Sequence, residues 1–336
     1  MKRVILFSIL FILMCFSIPV IFTKNVTTIK DTIMQQETFE EEKKDIKDEV
    51  TKDNTIVRLL HSSTGEIEEI YLDEYLYGVV SAEMPANFEI EALKAQAIVA
   101  RTYTKYNMKE ANKHDNADIC DDASCCQAWI SKDERLSKWE DENKESNWDK
   151  IVNAVDSTSG IIITYEGKPI NAFFHANSGG ITETASNVWG GEDYPYLQNV
   201  ETSMENEYTQ YSSQVILTKG ELIDALRKYH NDVNINFEEE NTISILERNN
   251  SGRVMRIRFG NIEISGVETR KIFNLKSTNF DIVVGENIIF NVIGYGHGVG
   301  LSQTGANSMA KLGNDFEEII KHYYSGVALE KINVIE

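Results

Sequence analysis

Proline is scarce in this chain, basic residues are outnumbered, and cysteine is confined to two short stretches. Four prolines in 336 residues argue against a long rigid linker or a low-complexity stalk. Lys and Arg total 33 against 53 Asp and Glu, a formal net charge of −20. Nonspecific nucleic-acid binding depends on cations meeting phosphate, so this balance disfavours it. An anionic polymer would have to be held by a local patch, because the global field repels it. No internal repeat is visible. The glycine-rich stretch "GYGHGVG" lacks the Gly-Lys-[Ser/Thr] ending and the dinucleotide spacing of nucleotide loops. A G-x-S-x-G nucleophile elbow and an H-E-x-x-H zinc helix are both missing.

What is present begins with an apolar run. "MKR" precedes residues 4–22, which carry no charge. About 20 such residues span a bilayer as a helix. There is no A-x-A cleavage pattern near "TKNVTT", and Met14 before Cys15 is too large for a lipoprotein signal. The pattern predicts a cytoplasmic stub at 1–3, a retained single-pass anchor at 4–23, and the rest of the chain outside the cytoplasm by the positive-inside rule. Residues 24–55 are polar and charge-dense without an apolar stripe, the composition of a solvated tether. One extracytoplasmic domain is expected over 56–336. Its mixture of helices and hairpins, without βαβ alternation, predicts an α+β fold built around a substrate groove.

In "YLYGVVSAEMPANFEIEALKAQAIVARTY", Asp73 is a candidate N-cap, and Leu72, Leu76 and Val79 recur at helical spacing. Glu83 continues that apolar face and meets Pro85, which ends the helix. A carboxyl on an apolar face, near the negative end of a helix dipole, has its pKa raised. A general acid working near neutral pH needs such a move, from about 4.3 towards about 6–7. The competing reading is a structural ion pair with Lys94 or Arg101. The second helix carries Glu89 and Glu91 in its first turn, explained by its dipole. Ile90, Leu93, Ala97 and Ala100 form its buried stripe. Glycosidases ordinarily use two carboxylates, and only Glu83 stands out. A single carboxyl suits a lytic transglycosylase, in which the sugar's own 6-hydroxyl replaces water.

"HDNADICDDASCCQAW" holds His114 and every cysteine outside the apolar run. His114, Cys120 and Cys126 are spaced to ligate zinc with an open fourth position. Cys125 competes for a place in that set, and a local disulfide is the alternative outside the cytoplasm. In "FFHANSGG", Ser178 lies between flexible units and suits substrate hydrogen bonding. In "GYGHGVGLSQTGA", His297 stands between glycines, and Ser302 and Gln303 open a helix. Thr218 and Glu221 hold capping-box positions, and "ISILERNNSGRVMRIRF" reads as a hairpin.

The motifs "VVSAEMPANFEIEALKAQAIVARTY", "FFHANSGG", "KSTNF" and "GYGHGVGLSQTGA", in this order, resemble the stage II sporulation protein D family of peptidoglycan lytic transglycosylases. The resemblance covers roughly residues 56–336. It implies cleavage of MurNAc–GlcNAc glycan strands, preferably stripped of stem peptides, to 1,6-anhydro ends during engulfment in sporulation. It implies stage II sporulation proteins P and M as partners, and the engulfing mother-cell membrane as the location. Glu83 falls on the family's acid/base. Lys94, Arg101, Ser178, His297 and Gln303 fall on its glycan-binding positions, with Lys94 and Arg101 expected to orient the lactyl carboxylate. His114, Cys120 and Cys126 match a zinc pattern of some members, for a structural or groove-shaping ion, while Cys125 departs from it. A wall-binding scaffold or an activator of a partner amidase would use the same groove without turnover. A zinc amidase built on the cysteines is a third reading, weakened by the missing H-E-x-x-H helix.

Overall fold

The structure, a computed structural model, describes residues 53–111 and 113–332. The predicted stub, membrane anchor and tether fall on residues 1–55, of which only 53–55 are described. Among the described residues no helix is long and apolar enough to cross a membrane.

The first hairpin pairs β1 (Ile56–Leu60) with β2 (Ile67–Tyr71) antiparallel. Helix α1 (Leu72–Glu83) follows without a loop, then α2 (Ile90–Tyr106). The predicted stripes hold except at one end: Leu72, Leu76 and Val79 are fully buried, as are Leu93, Ala97 and Ala100, while Ile90 is partly buried. Asp73 is not the N-cap. The cap position falls two residues earlier, on Tyr71, which makes no side-chain cap, and Asp73 is buried beside Arg101 at 3.0 Å. A buried guanidinium without an acid would cost several kcal/mol, roughly 3–5, so the ion pair outweighs a cap of about 1 kcal/mol.

A π-helical turn (Asn107–Ala111) leads to β3 (Ile119–Cys120), which joins β1 in parallel. Helices α3 (Lys132–Lys138) and α4 (Lys144–Asp156) precede β4 (Ile161–Tyr165) and β5 (Lys168–Pro169). The turn between these strands is Glu166–Gly167, with both residues at positive φ. Strand β6 (Phe174–His175) and short α5 (Ala185–Trp189) follow.

A second apolar core is built from β7 (Ser212–Thr218), α6 (Lys219–Arg227), β8 (Ile243–Arg248), β9 (Val254–Phe259), β10 (Ile262–Ser265), α7 (Gly266–Ile272), β11 (Asn279–Val284) and β12 (Asn287–Ile293). Two antiparallel sheets form there, in orders β10-β9-β8 and β11-β12-β7. The Thr218–Glu221 capping box starts α6 as predicted, and β8–β9 is the predicted hairpin. The chain then returns to the first core through β13 (Leu301–Ser302), α8 (Gln303–Lys311), α9 (Phe316–Tyr323) and β14 (Ala328–Lys331). Strand β13 lies parallel to β6, and β14 closes antiparallel on β4. The fold is α+β, and mostly antiparallel, as the pattern implied.

Candidate active site and metal cluster

Helix α1 ends at Glu83 because Met84, the residue before Pro85, adopts extended backbone (φ −124°, ψ 141°). The Glu83 side chain opens into a cleft of about 930 Å³. It is the sole carboxylate among the described residues lining that cleft. Its Oε1 accepts from the backbone N–H of Ala128 at 2.7 Å, and its Oε2 from the Gln303 amide at 3.2 Å. Burial pushes its pKa above the ordinary 4.5, and these two donors only partly offset that. The ion-pair alternative does not hold. Lys94 pairs with Glu91 at 2.8 Å, and Arg101 pairs with Asp73.

Ala128 reaches Glu83 because the chain from Gln127 to Ile130 lies flat on α1. Gly78 permits this contact: a Cβ there would stand 2.3 Å from Trp129 Nε1 and 2.7 Å from the Ile130 carbonyl oxygen. Gln127 anchors the segment, donating to the hydroxyls of Tyr75 at 2.9 Å and Thr104 at 3.0 Å.

The facing wall comes from β6 and the loop between β12 and β13. The His297 Nδ1 accepts from the Val299 N–H at 3.0 Å, which leaves its proton on Nε2. Its ring packs on Trp189 at 5.1 Å and His175 at 5.7 Å between centroids. Burial, then the neighbouring His175, Arg270 and Arg253, holds His297 well below 6.5. His175 donates from Nδ1 to the Val299 carbonyl at 3.2 Å, and burial pulls its pKa down to about 4. Both imidazoles are therefore neutral at pH 7. Gly300 keeps this wall thin: with φ +72°, it lies where a Cβ would stand 2.0 Å from the Phe173 carbonyl oxygen. Trp189 and Tyr295 line the cleft with much of their rings exposed. Flat aromatic faces of this kind suit amphipathic ligands such as sugars.

Of the predicted substrate-binding residues, His297 and Gln303 line the cleft; Lys94, Arg101 and Ser178 do not. Lys94 sits over the Phe316 ring, 5.9 Å from its centroid. Arg101 is fully buried and holds the end of α4, donating to the carbonyls of Thr158 at 2.8 Å and Val155 at 3.2 Å. Ser178 is fully buried too, with its hydroxyl bonded to Glu205 and Thr202. These three placements differ from the expectation: Arg101 and Ser178 are sealed from the cleft, and Lys94 is paired outside its lining.

Sequence reasoning missed Glu205, which organises the wall from behind. It is almost fully buried and accepts from the N–H groups of Ser178 at 2.9 Å and Gly180 at 2.8 Å. The hydroxyls of Thr202, Thr304, Ser178 and Ser302 also bond to it. Burial opposes its charge, yet these bonds hold its pKa below 4.5. It ties "HANSGG" to "GLSQTGA" although they are far apart in the chain. Lys113, Arg135 and Arg270 were missed as well, and they line the cleft with Glu83. The local patch demanded by the net charge of −20 is therefore present, with different members from those expected.

At the cleft margin, ligand atoms of His114, Cys120, Cys125 and Cys126 lie within 4.8 Å of one another. All three thiols are free. The His114 Nε2 stands 3.3 Å from Cys126 Sγ and 3.8 Å from Cys125 Sγ, and the two sulfurs are 3.9 Å apart. Tetrahedral zinc with Zn–S of about 2.3 Å and Zn–N of about 2.0–2.1 Å requires edges of roughly 3.5–3.8 Å. The donor set and spacing fit a metal ion, and Cys125 joins the expected ligands.

Residues 61–165 match the family model described as a stage II sporulation protein. Over 279 residues the chain is 33% identical to stage II sporulation protein D of Bacillus amyloliquefaciens, covering 82% of this chain and 78% of that protein. This chain belongs to the stage II sporulation protein D family. The Bacillus subtilis member is 32% identical over 279 residues, 82% of this chain and 79% of its own. An amidase enhancer of Bacillus subtilis is 24% identical over 307 residues, which is 76% of this chain and 40% of that protein. The family match spans Glu83, the second helix and the His/Cys cluster.

Proposed function

We propose that this family member acts on the cell wall in sporulation as a peptidoglycan lytic transglycosylase, with Glu83 as its acid and base. One observation carries the reading: Glu83 is the sole carboxylate on the described lining of an aromatic-walled cleft, and burial keeps it protonated beyond the usual range. Two-carboxylate hydrolysis needs a partner about 5–9.5 Å away, and the lining offers none. The Glu83 carboxyl gives its proton to the glycosidic oxygen as the C1–O bond of the muramic residue breaks. The Glu83 carboxylate then takes the proton of that residue's 6-hydroxyl as its oxygen bonds to C1. The products are a 1,6-anhydro end and a free 4-hydroxyl, and no water is consumed. The Ala128 N–H and the Gln303 amide orient the carboxylate between the two transfers.

Zinc is the metal that the His114, Cys120, Cys125 and Cys126 donors suit. When bound, it would supply a cross-link that fixes the loop whose Ala128 N–H reaches Glu83. Metal analysis should find about one zinc per chain, and chelation should lower the melting temperature. A metal-free protein with unchanged melting in chelator would rule the ion out.

The deciding experiment is mass spectrometry of peptide-stripped glycan strands incubated with the protein. Anhydro-muramyl ends are expected from the native chain, with Glu83→Gln slower by about 10²–10⁴-fold. Reducing ends would overturn the transglycosylase reading. The similarity to an amidase enhancer favours a second reading, a wall-binding activator. Retained glycan binding with no new ends from either protein would establish it.

A further inference from the structure

Two arginines stand near the His175–His297 pair, and they are used differently. Arg253 is buried, and its terminal nitrogens donate to the carbonyls of Ser178 at 2.8 Å and Ile181 at 3.0 Å. Arg270, in the last turn of α7, donates only from Nε, to the Leu275 carbonyl at 3.2 Å. The Leu275 N–H returns a bond to the Arg270 carbonyl at 2.9 Å, closing the turn that brings the Leu275 carbonyl to Nε. The terminal nitrogens of Arg270 meet no acceptor among the described residues, and no carboxylate pairs with it. Yet this residue lines the cleft and is partly buried. The other cleft cations are placed differently, although Arg135 also lacks a carboxylate and its Nε has no hydrogen-bond partner among the described residues. Lys113 donates to the Tyr103 hydroxyl at 3.1 Å and to the Cys125 carbonyl at 3.2 Å, and Arg135 rests over the Trp139 ring.

In a chain whose negative charges outnumber its positive ones by 20, Arg270 has no carboxylate partner among the described residues. Acids are abundant on its surface, where Arg256 and Arg258 both pair with Glu263. An ion partly withdrawn from water and left unpaired is a cost to folding, offset when a ligand brings the counter-charge. A guanidinium held by Nε presents its two outer nitrogens as a fork that matches a carboxylate. With His175 and His297 both neutral and Arg253 bonded to two carbonyls behind the wall, Arg270 is the cation that lines the cleft beside them.

Resting on the glycan reading above, we infer that Arg270 is a specificity-determining residue that binds a carboxylate carried by the polymer in the cleft. In wall glycan the carboxylate has two sources. One is the lactyl ether acid of a muramic residue freed of peptide; the other is an acid of an attached stem peptide.

The test is binding, which does not require turnover. Affinities are measured for oligosaccharides of equal length in four forms: peptide-free muramyl glycan, the same glycan with its carboxyls methyl-esterified, peptide-bearing glycan, and chitin oligosaccharide. The native protein should bind the free-acid form about 10–100-fold more tightly than the ester or chitin forms, the range for a charged hydrogen-bonded pair. Arg270→Gln should erase that preference while leaving chitin binding and melting temperature unchanged. Arg270→Lys should restore part of it. Stronger binding of the peptide-bearing form, lost in Arg270→Gln, would assign the carboxylate to the peptide. Equal affinity of the native protein for acid and ester would overturn the inference and leave the glycan reading intact. Loss of chitin and acid binding in equal measure in Arg270→Gln would also overturn it, since Arg270 would then only support the wall. Failure of the native protein to bind any of the four overturns both.

Discussion

Glu83 lines the cleft and Glu205 lies buried behind its facing wall; both are withdrawn from water, and their pKa values move in opposite directions. Burial disfavours both charges. The difference is the number of donors: Glu205 is met by two backbone N–H groups and several hydroxyls, whereas Glu83 has one N–H and one amide. A carboxylate with enough donors stays ionised inside a protein, and one with few is driven to the acid form. The same side chain thus serves as a structural anion in one region and, on the function proposed above, as a proton donor in the other.

The strongest way to break this comparison is to give both residues the same change. Glu205→Gln sets an amide among groups that donate to a carboxylate, and should cost about 3–5 kcal/mol in chemical unfolding. Glu83→Gln mimics the form burial already favours and should change stability by less than about 1 kcal/mol. The pH dependence should divide likewise. Glu205 has a lowered pKa, so its stabilisation is present above 4.5 and lost as pH falls through its folded-state value. Glu83 has a raised pKa, so its ionisation works against folding as pH rises from 4.5 through its folded-state value. Native protein should therefore lose ground to Glu83→Gln over that rise. Equal costs for the two substitutions, or a Glu83→Gln difference that does not vary with pH, would remove the distinction.

Glu83 was legible in the sequence because its oddity is local, an acid on an apolar stripe before a proline. The Thr218 capping box was legible for the same reason. Arg101 was misplaced because periodicity gives a helix face but not what packs against it, here the carbonyl end of α4 and Asp73. Ser178 looked available in a glycine-rich loop, yet the acid that claims it lies 27 residues further on. Glu205 itself sits in an unremarkable polar stretch, and its donors come from three separate segments. Arg270 gave no signal, since its meaning lies in the absence of an acid that only the fold can reveal. The His/Cys cluster was visible from spacing, but the place of Cys125 within it required the loop's geometry.

A smaller change sharpens the comparison by moving Glu83 further from the Glu205 condition. Gly78→Ala would gain up to about 1 kcal/mol of helix propensity. The added Cβ would meet the Trp129 indole and the Ile130 carbonyl at distances that real contacts do not tolerate. Overpacking of this kind costs about 1–3 kcal/mol, so net destabilisation is expected, because neither the buried indole nitrogen nor the backbone oxygen can swing aside. The segment that yields is the one bearing Ala128, so Glu83 should lose its best donor. With one donor fewer its acid form is favoured more, and the alkaline limb of the cleavage profile should move to higher pH while kcat falls. A limb that stays in place while stability drops would mean that Ala128 does not tune Glu83, and that burial alone separates the two carboxyls.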